Sequence, residues 1–292
     1  MRRLPPALKL LRPSQWIKNG FVLAGTFFAG DFLHFGILRH ALVAFAAFCL
    51  ASSAIYALND LLDREADRLH PRKRHRPVAA GLVSPALAAV LCGVCAASGL
   101  LLAAMVSPQL LTVIALYLLV NLAYSRWLKH IVLVDVFCIA SGFLLRLLAG
   151  TWGIGVPPSQ WFVLCTFLLS LFLGFSKRYA ERTDATQDHA HKRAVVEEYS
   201  PEFLQILLGV TLSATLIAYG LYTVSPQTLA IHKTGNMIYS LPFAAFVMFR
   251  YLYLVMQKGF GENLTLELMK DFSLTAGVVL YALVTGTLLV WG

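Results

Sequence analysis

Long apolar stretches alternate with short polar connections along this chain, and their spacing predicts the elements. A helix crossing a bilayer needs roughly 20 mostly apolar residues, with its backbone hydrogen bonds closed inside the segment. Nine such runs are expected, at about 17–37, 40–62, 83–105, 109–126, 131–149, 159–177, 203–224, 236–256 and 272–291. Only Ser107-Pro108-Gln109 parts the third from the fourth, which predicts a tight helical hairpin. Pro157-Pro158 breaks the helix between the fifth and sixth. The first run is the weakest, because Asn19, Gly25, Gly30 and Asp31 interrupt it. A cleaved leader is the alternative there, but the basic segment is long and no Ala-x-Ala site follows, so a retained span is expected.

Composition agrees with the pattern. The chain has 292 residues, 58% hydrophobic and 13% charged, with mean hydropathy +0.70. Soluble domains carry about a quarter charged residues, so a solvated globule is excluded. The stretch Val78 to Ser125 holds no charged residue over 48 positions, which suits two membrane helices and a turn. So high an apolar content excludes disorder, and five cysteines are too few for a disulfide scaffold. All five cysteines (Cys49, Cys92, Cys95, Cys138, Cys165) fall in expected spans. Cys92-x-x-Cys95 lacks nearby His or further Cys partners and reads as helix packing rather than a metal or redox site. No internal repeat is evident, so residues 1–292 are expected to form one integral-membrane domain.

Charge sets the orientation. Lysines and arginines number 20 in the N-terminal segment and the connections after even-numbered spans, against 2 in the other connections; Arg146 and Arg250 lie within spans. By the positive-inside rule the N-terminus is cytoplasmic and the C-terminus lies on the opposite side of the inner (plasma) membrane. The net charge of +9 is thus partly orientation signal attracted to anionic membrane lipids, and nucleic acid is not an expected partner.

Chemistry concentrates at the end of the second span, in Tyr56-Ala-Leu-Asn59-Asp60-Leu-Leu-Asp63-Arg-Glu-Ala-Asp67. On a helix Asn59, Asp63 and Asp67 stack at i, i+4 and i+8, with Tyr56 and Asp60 beside them. Stacked carboxylates repel unless a cation lies between them. Oxygen ligands at a membrane helix end suit Mg²⁺, which keeps water and shares its shell with substrate phosphates. The plainer reading is a solvated helix terminus neutralised by Arg64 and Arg68, which leaves the regular spacing unexplained. Next comes Pro71-Arg72-Lys73-Arg74-His75-Arg76-Pro77, part orientation signal and part what a phosphate ester requires; Lys73 and Arg76 are the candidate contacts.

Asn59-Asp60-x-x-Asp63-x-x-x-Asp67, followed by His70-Pro71-x-Lys73-x-x-Arg76-Pro77-x-Ala79-x-Gly81, resembles the first signature of the UbiA intramembrane prenyltransferase superfamily. Three more segments are similar to its phosphoribosyl-transferring branch: Leu11-Arg12-Pro13-Ser14-Gln15-Trp16-Ile17-Lys18-Asn19, Tyr124-Ser125-x-x-Leu128-Lys129-His130 through Asp135, and Ser176-Lys177-Arg178-Tyr179-Ala180-Glu181. The resemblance covers residues 10 to 185 well; the last three spans match more in hydropathy than in motif.

The resemblance implies an all-α membrane fold, nine transmembrane helices around a central cavity open to the cytoplasmic side. The activity it implies is transfer of 5-phosphoribose from phosphoribosyl diphosphate (PRPP) to a polyprenyl phosphate. Asn59, Asp63 and Asp67 would hold Mg²⁺, with Asp60 among the catalytic group. Lys18, Tyr56, Lys73, Arg76, Tyr124, Lys129, Arg146, Lys177, Arg178 and Glu181 would line the substrates. Prenyl-diphosphate users carry a second Asp-rich motif after span six. Here that position reads Lys177-Arg178-Tyr179-Ala180-Glu181-Arg182-Thr183-Asp184, where cations flank the acids, as two anionic substrates would favour.

Arg146 shares a face with Asp135 three turns away, about 16 Å along a straight helix. A cation within lipid faces a cavity or a partner, so a link to Asp135 through an intermediary, snorkelling and substrate binding all stay open. Arg250 is expected to snorkel to the cytoplasmic edge. Two rival functions share the pattern: an aromatic or haem prenyltransferase using a prenyl diphosphate, and a transporter. The functional-looking charges crowd one side of the membrane, against transport. Polyprenol length and self-association into a homo-oligomer are left open.

Overall fold

The computed structural model describes residues 5–28, 34–71, 73–184, 194–261 and 270–291. Gly30, Asp31 and Arg72, and the N-terminal Arg2 and Arg3 among the 20 cations counted, lie outside the described residues. All regular structure among those described is helical, and eight helices are long and apolar enough to cross a membrane.

Near the N-terminus come α1 (Pro6–Leu10), a 3-10 turn (Pro13–Asn19) and α2 (Gly20–Phe28). The first expected span is therefore a tight turn joined to a nine-residue helix within the described residues, not one unbroken helix. Helix α3 (Phe35–Leu62) starts before the expected position 40, so Arg39 and His40 belong to its first turns. A short α4 (Arg64–Leu69) follows, then α5 (Pro85–Val106), α6 (Pro108–Arg126), α7 (Val134–Ala149), α8 (Gln160–Thr183) and α9 (Ala194–Glu197). The chain ends with α10 (Pro201–Val224), α11 (Pro226–His232), α12 (Leu241–Lys258) and α13 (Phe272–Trp291).

One sequence device starts four of these helices. Ser84, Ser107, Ser200 and Ser225 each accept a backbone N–H from three residues on, at 3.2, 2.9, 3.1 and 3.2 Å, and each precedes a proline at the first helical position. Serine satisfies an orphan donor, and proline has no N–H to orphan. Ser107 ends α5 and starts α6 at once, which makes the expected hairpin as short as a hairpin can be.

The chain divides into two compact units, Met1–Leu128 with Leu145–Pro158, and Lys129–Leu144 with Ser159–Gly292. In the first, α3 packs on α5 through a small-residue face. Ala41, Ala44, Ala47, Ala51 and Ala54 are buried at helical spacing, and a Cβ on Gly99 would lie 3.0 Å from the Ala47 carbonyl. Lipid gives little drive for helices to associate, so close backbone approach supplies the packing instead. The end of α7 meets α2 still more closely: a Cβ on Gly150 would lie 1.7 Å from the Val22 carbonyl, and Thr26 donates to the Gly150 carbonyl at 2.8 Å. In the second unit α8 packs on α10 around Phe172, Phe175, Leu204 and Leu208.

Candidate active site

The first unit carries the polar step. Helix α3 carries no acidic residue until its last turn, where Asn59 and Asp60 appear. Asp63 leaves the helical region (φ −91°, ψ 6°), so the expected continuous helix bends there into α4. Register survives the bend: the Asp63 N–H donates to the Asn59 carbonyl at 2.9 Å and the Asp67 N–H to the Asp63 carbonyl at 2.8 Å. The backbone thus keeps the i, i+4, i+8 spacing while the side chains meet different surroundings.

Asp60 is buried, with Oδ1 accepting from Arg12 Nη2 at 2.5 Å and Arg76 Nη1 3.7 Å away. Asp67, 3% exposed, accepts from Arg76 Nη1 at 2.7 Å. Arg12, Asp60, Arg76 and Asp67 thus form a chain of alternating charge. Arg64 and Arg68 instead bond Glu65, at 2.8 and 3.0 Å; those contacts, Arg64 foremost, hold the Glu65 carboxyl below its ordinary range. The reading in which Arg64 and Arg68 neutralise the stripe is therefore corrected: Arg12 and Arg76 balance Asp60 and Asp67.

Asn59 and Asp63 keep partial exposure, and Ser125 on α6 donates to Asn59 Oδ1 at 2.5 Å. No cage of three His, Cys, Asp or Glu side chains occurs among the described residues. Asn59 and Asp63 offer two oxygen-bearing side chains one helical turn apart, and beside them Asp60 Oδ2 is buried with no hydrogen-bond partner among the described residues. Hard oxygens in that number fit Mg²⁺, which is typically held by one or two side chains with water and phosphate completing its shell. Asp67, expected as a third ligand, is committed to Arg76.

The segment before α2 is pinned onto α3 by two adjacent serines. Trp16 Nε1 donates to Ser53 Oγ at 3.0 Å, Ser53 to the Leu11 carbonyl at 2.9 Å, and Asn19 Nδ2 to Ser52 Oγ at 3.1 Å. Arg12 sits in the left-handed region (φ 50°) with its guanidinium 5.0 Å from the centre of the Tyr56 ring. Lys18 is exposed on the same turn. Arg146 is 6% exposed; its Nε donates to Asn19 Oδ1 at 2.8 Å, its Nη2 to Tyr117 OH at 3.2 Å, and it lies 5.1 Å from the Phe48 ring centre. Arg146 thus bonds Asn19 and Tyr117 and stacks near Phe48.

Lys73 and Arg76 are half-buried around a 3-10 turn (Lys73–His75), and the segment closes at Gly81, whose φ of 71° suits a residue without a side chain. Tyr124 is half-buried near the end of α6, and Lys129 is half-buried in the turn Leu128–His130.

In the second unit a buried cluster ties α7 to α8. Arg178 Nε donates to Asp135 Oδ2 at 2.6 Å, and both side chains are fully buried. Tyr199 OH donates to Asp135 Oδ1 at 2.7 Å and accepts the Leu133 N–H at 2.6 Å. Burial, reinforced by the bond to Asp135, pushes the Tyr199 phenol above its ordinary value. Glu181 bonds Arg178 and lies 3.9 Å from Lys177. Arg178, expected at the substrate, has no exposed side-chain surface in this structure and braces α7 against α8 through Asp135. Arg250 reaches toward the connection after α12, where it forms a two-pronged pair with Asp271 at 3.1 and 2.7 Å.

The sequence reading gave no role to Ser52, Ser53, Tyr117 or Tyr199, nor to Asn19 and Ser125, which stand inside quoted motifs. The serine pair inside an apolar run is a readable signal for the first two; nothing in the spacing points to Tyr199.

Comparison with known proteins adds lineage to this geometry. The profile of the UbiA prenyltransferase family matches residues 20–264. The chain belongs to the UbiA prenyltransferase family. Within it, a decaprenyl-phosphate phosphoribosyltransferase from Mycolicibacterium smegmatis is 40% identical over 222 residues, covering 75% of this chain and 70% of that protein. One from Mycobacterium tuberculosis is 39% identical over 231 residues, covering 75% and 76%. The chain thus falls in the phosphoribosyltransferase-like branch of the UbiA family. A UbiA homolog from Archaeoglobus fulgidus, solved bound to DMAPP and Mg²⁺, superposes with a TM-score of 0.72 at 21% identity, covering 96% of each chain. That likeness carries the fold: an all-α, multi-pass membrane protein of the UbiA type.

Proposed function

We propose that this UbiA-family protein transfers 5-phosphoribose from PRPP to a polyprenyl phosphate, releasing diphosphate, with Mg²⁺ as cofactor. Its relatives of the phosphoribosyltransferase branch support the sugar-phosphate donor. The observation that carries the choice over a prenyl diphosphate is Glu181. Where prenyl-diphosphate users have a second acidic pair, this acid is engaged by Lys177 and Arg178.

The acceptor phosphate oxygen is already anionic, so no side chain has to remove a proton. That oxygen forms a bond to ribose C1 as the bond from C1 to the diphosphate oxygen breaks, and the electron pair leaves with diphosphate. One in-line displacement inverts C1. Asn59 and Asp63 would hold Mg²⁺, which when bound supplies Lewis-acid stabilisation of the leaving diphosphate. Lys18, Tyr56, Lys73, Lys129 and Arg146 are assigned to the phosphates of the two substrates. Fixed cations in a site shielded from water stabilise developing negative charge more than the same cations in solution. Asp60, Arg12, Asp67 and Arg76 serve the site by keeping the end of α3 in register.

We extend the proposal to topology: one membrane domain of nine crossings in the plasma membrane, with its N-terminus and a substrate cavity open on the cytoplasmic side. The distribution of 20 lysines and arginines against 2 supports it.

Membranes containing the protein, given radiolabelled PRPP or a radiolabelled prenyl diphosphate, separate the donors. Labelled lipid formed from PRPP alone is the expected result; product from the prenyl diphosphate alone would overturn the proposal.

A further inference from the structure

We infer that Ser125 is a positioning residue that orients the Asn59 amide toward the cation, an inference that rests on the Mg²⁺ reading above. Ser125 lies on α6, 6% exposed, and its hydroxyl faces two acceptors: Asn59 Oδ1 at 2.5 Å and the Asn121 carbonyl, one turn back, at 2.8 Å. Among the described residues it makes the side-chain hydrogen bond that Asn59 has.

Two properties of this contact matter. The last torsion of an asparagine is soft and roughly two-fold, so an amide without a partner presents oxygen or NH₂ to a cation with little preference. NH₂ repels a cation, and a partner on one edge of the amide removes that freedom. A hydroxyl also carries a single proton, which cannot serve two acceptors at full strength. When Asn59 Oδ1 turns its electrons to a cation, the Ser125 proton still has the Asn121 carbonyl. No buried donor is stranded by the exchange, so loading the oxygen costs the protein little. The contact also joins α6, which leads directly into Lys129, to the end of α3, 66 residues away in sequence.

Partners behind a metal ligand tune affinity about 10- to 100-fold when removed. The test uses purified full-length protein with Mn²⁺, an oxygen-seeking stand-in for Mg²⁺, titrated by electron paramagnetic resonance with inorganic diphosphate as the second probe. Ser125→Ala is expected to weaken Mn²⁺ binding about tenfold, and Ser125→Thr, which keeps a hydroxyl, to restore it. Ser125→Cys, nearly the same size with a poor donor, is expected to follow alanine; it serves if the alanine variant fails to fold. Asn59→Ala separates the two levels. If it loses Mn²⁺ while Ser125→Ala and Ser125→Cys bind as wild type, the Ser125 inference is overturned and the metal reading stands. If Asn59→Ala also binds as wild type, the metal reading falls and the inference falls with it. Equal weakening in the threonine variant would reduce Ser125 to packing and likewise overturn it.

Discussion

Asn59 and Asp63 differ from Asp60 and Asp67 in burial. Asp60 and Asp67 are buried against Arg12 and Arg76, while Asn59 and Asp63 stay partly exposed. The division places the second and fourth positions of the motif in buried ion pairs at the helix end and leaves the first and third, the proposed Mg²⁺ ligands, partly exposed. Breaking a buried ion pair leaves a stranded charge and costs about 3–5 kcal/mol, less where the arginine reaches water. Arg12 and Arg76 are 28% and 27% exposed, so Asp60→Ala is expected to lower stability by about 2–3 kcal/mol. A double-mutant cycle of Arg12→Ala with Asp60→Ala, read by unfolding in detergent, should give a coupling of about 1–3 kcal/mol; strict additivity would contradict the pairing. The helical spacing of Asn59, Asp63 and Asp67 was legible in the chain. The distant partners were not, since Ser125 lies 66 residues from Asn59, Arg12 48 residues from Asp60 and Asn19 127 residues from Arg146. Such pairs depend on how a turn docks, and no local pattern encodes that.

At the scale of elements, serine-proline starts and apolar runs set most helix positions, and these were readable from the chain. The first expected span departs from the pattern for reasons now visible. Asn19 is polar because it bonds Ser52 and Arg146, and Gly25 is small because a Cβ there would lie 3.0 Å from the Leu147 carbonyl. Residues that weaken the hydropathy signal are thus the ones that let α2 approach α7 and deliver Asn19 to the guanidinium. Gly150 is the tightest point of that approach. Gly150→Ala is expected to destabilise the protein by about 3 kcal/mol or more, since the clash is with backbone and a helix must shift. Gly93→Ala on α5, where a Cβ meets nothing within 4 Å, is the matched control and should unfold as wild type does. Equal midpoints for the two variants would contradict the described crossing.

On the scale of the whole molecule, hydropathy announces a polytopic membrane protein, and the family profile and superposition agree. Nine runs were expected and eight helices of spanning length are found among the described residues, because the first run divides into a 3-10 turn and a short helix. The cations after span six divide by burial: Arg178 is buried against Asp135, while Lys177 is 42% exposed on the same helix. Motif spacing could not separate the two, because burial depends on which face of α8 meets α7. The most direct test of the whole account is phosphoribosyl transfer by full-length protein in liposomes containing decaprenyl phosphate, with Mg²⁺ titrated against radiolabelled PRPP. Wild type should form labelled lipid only with Mg²⁺, and Asp63→Ala at equal protein level should stay below about a tenth of that rate at saturating Mg²⁺. Transfer by Asp63→Ala above that fraction, or by wild type with all divalent cation chelated, would contradict it.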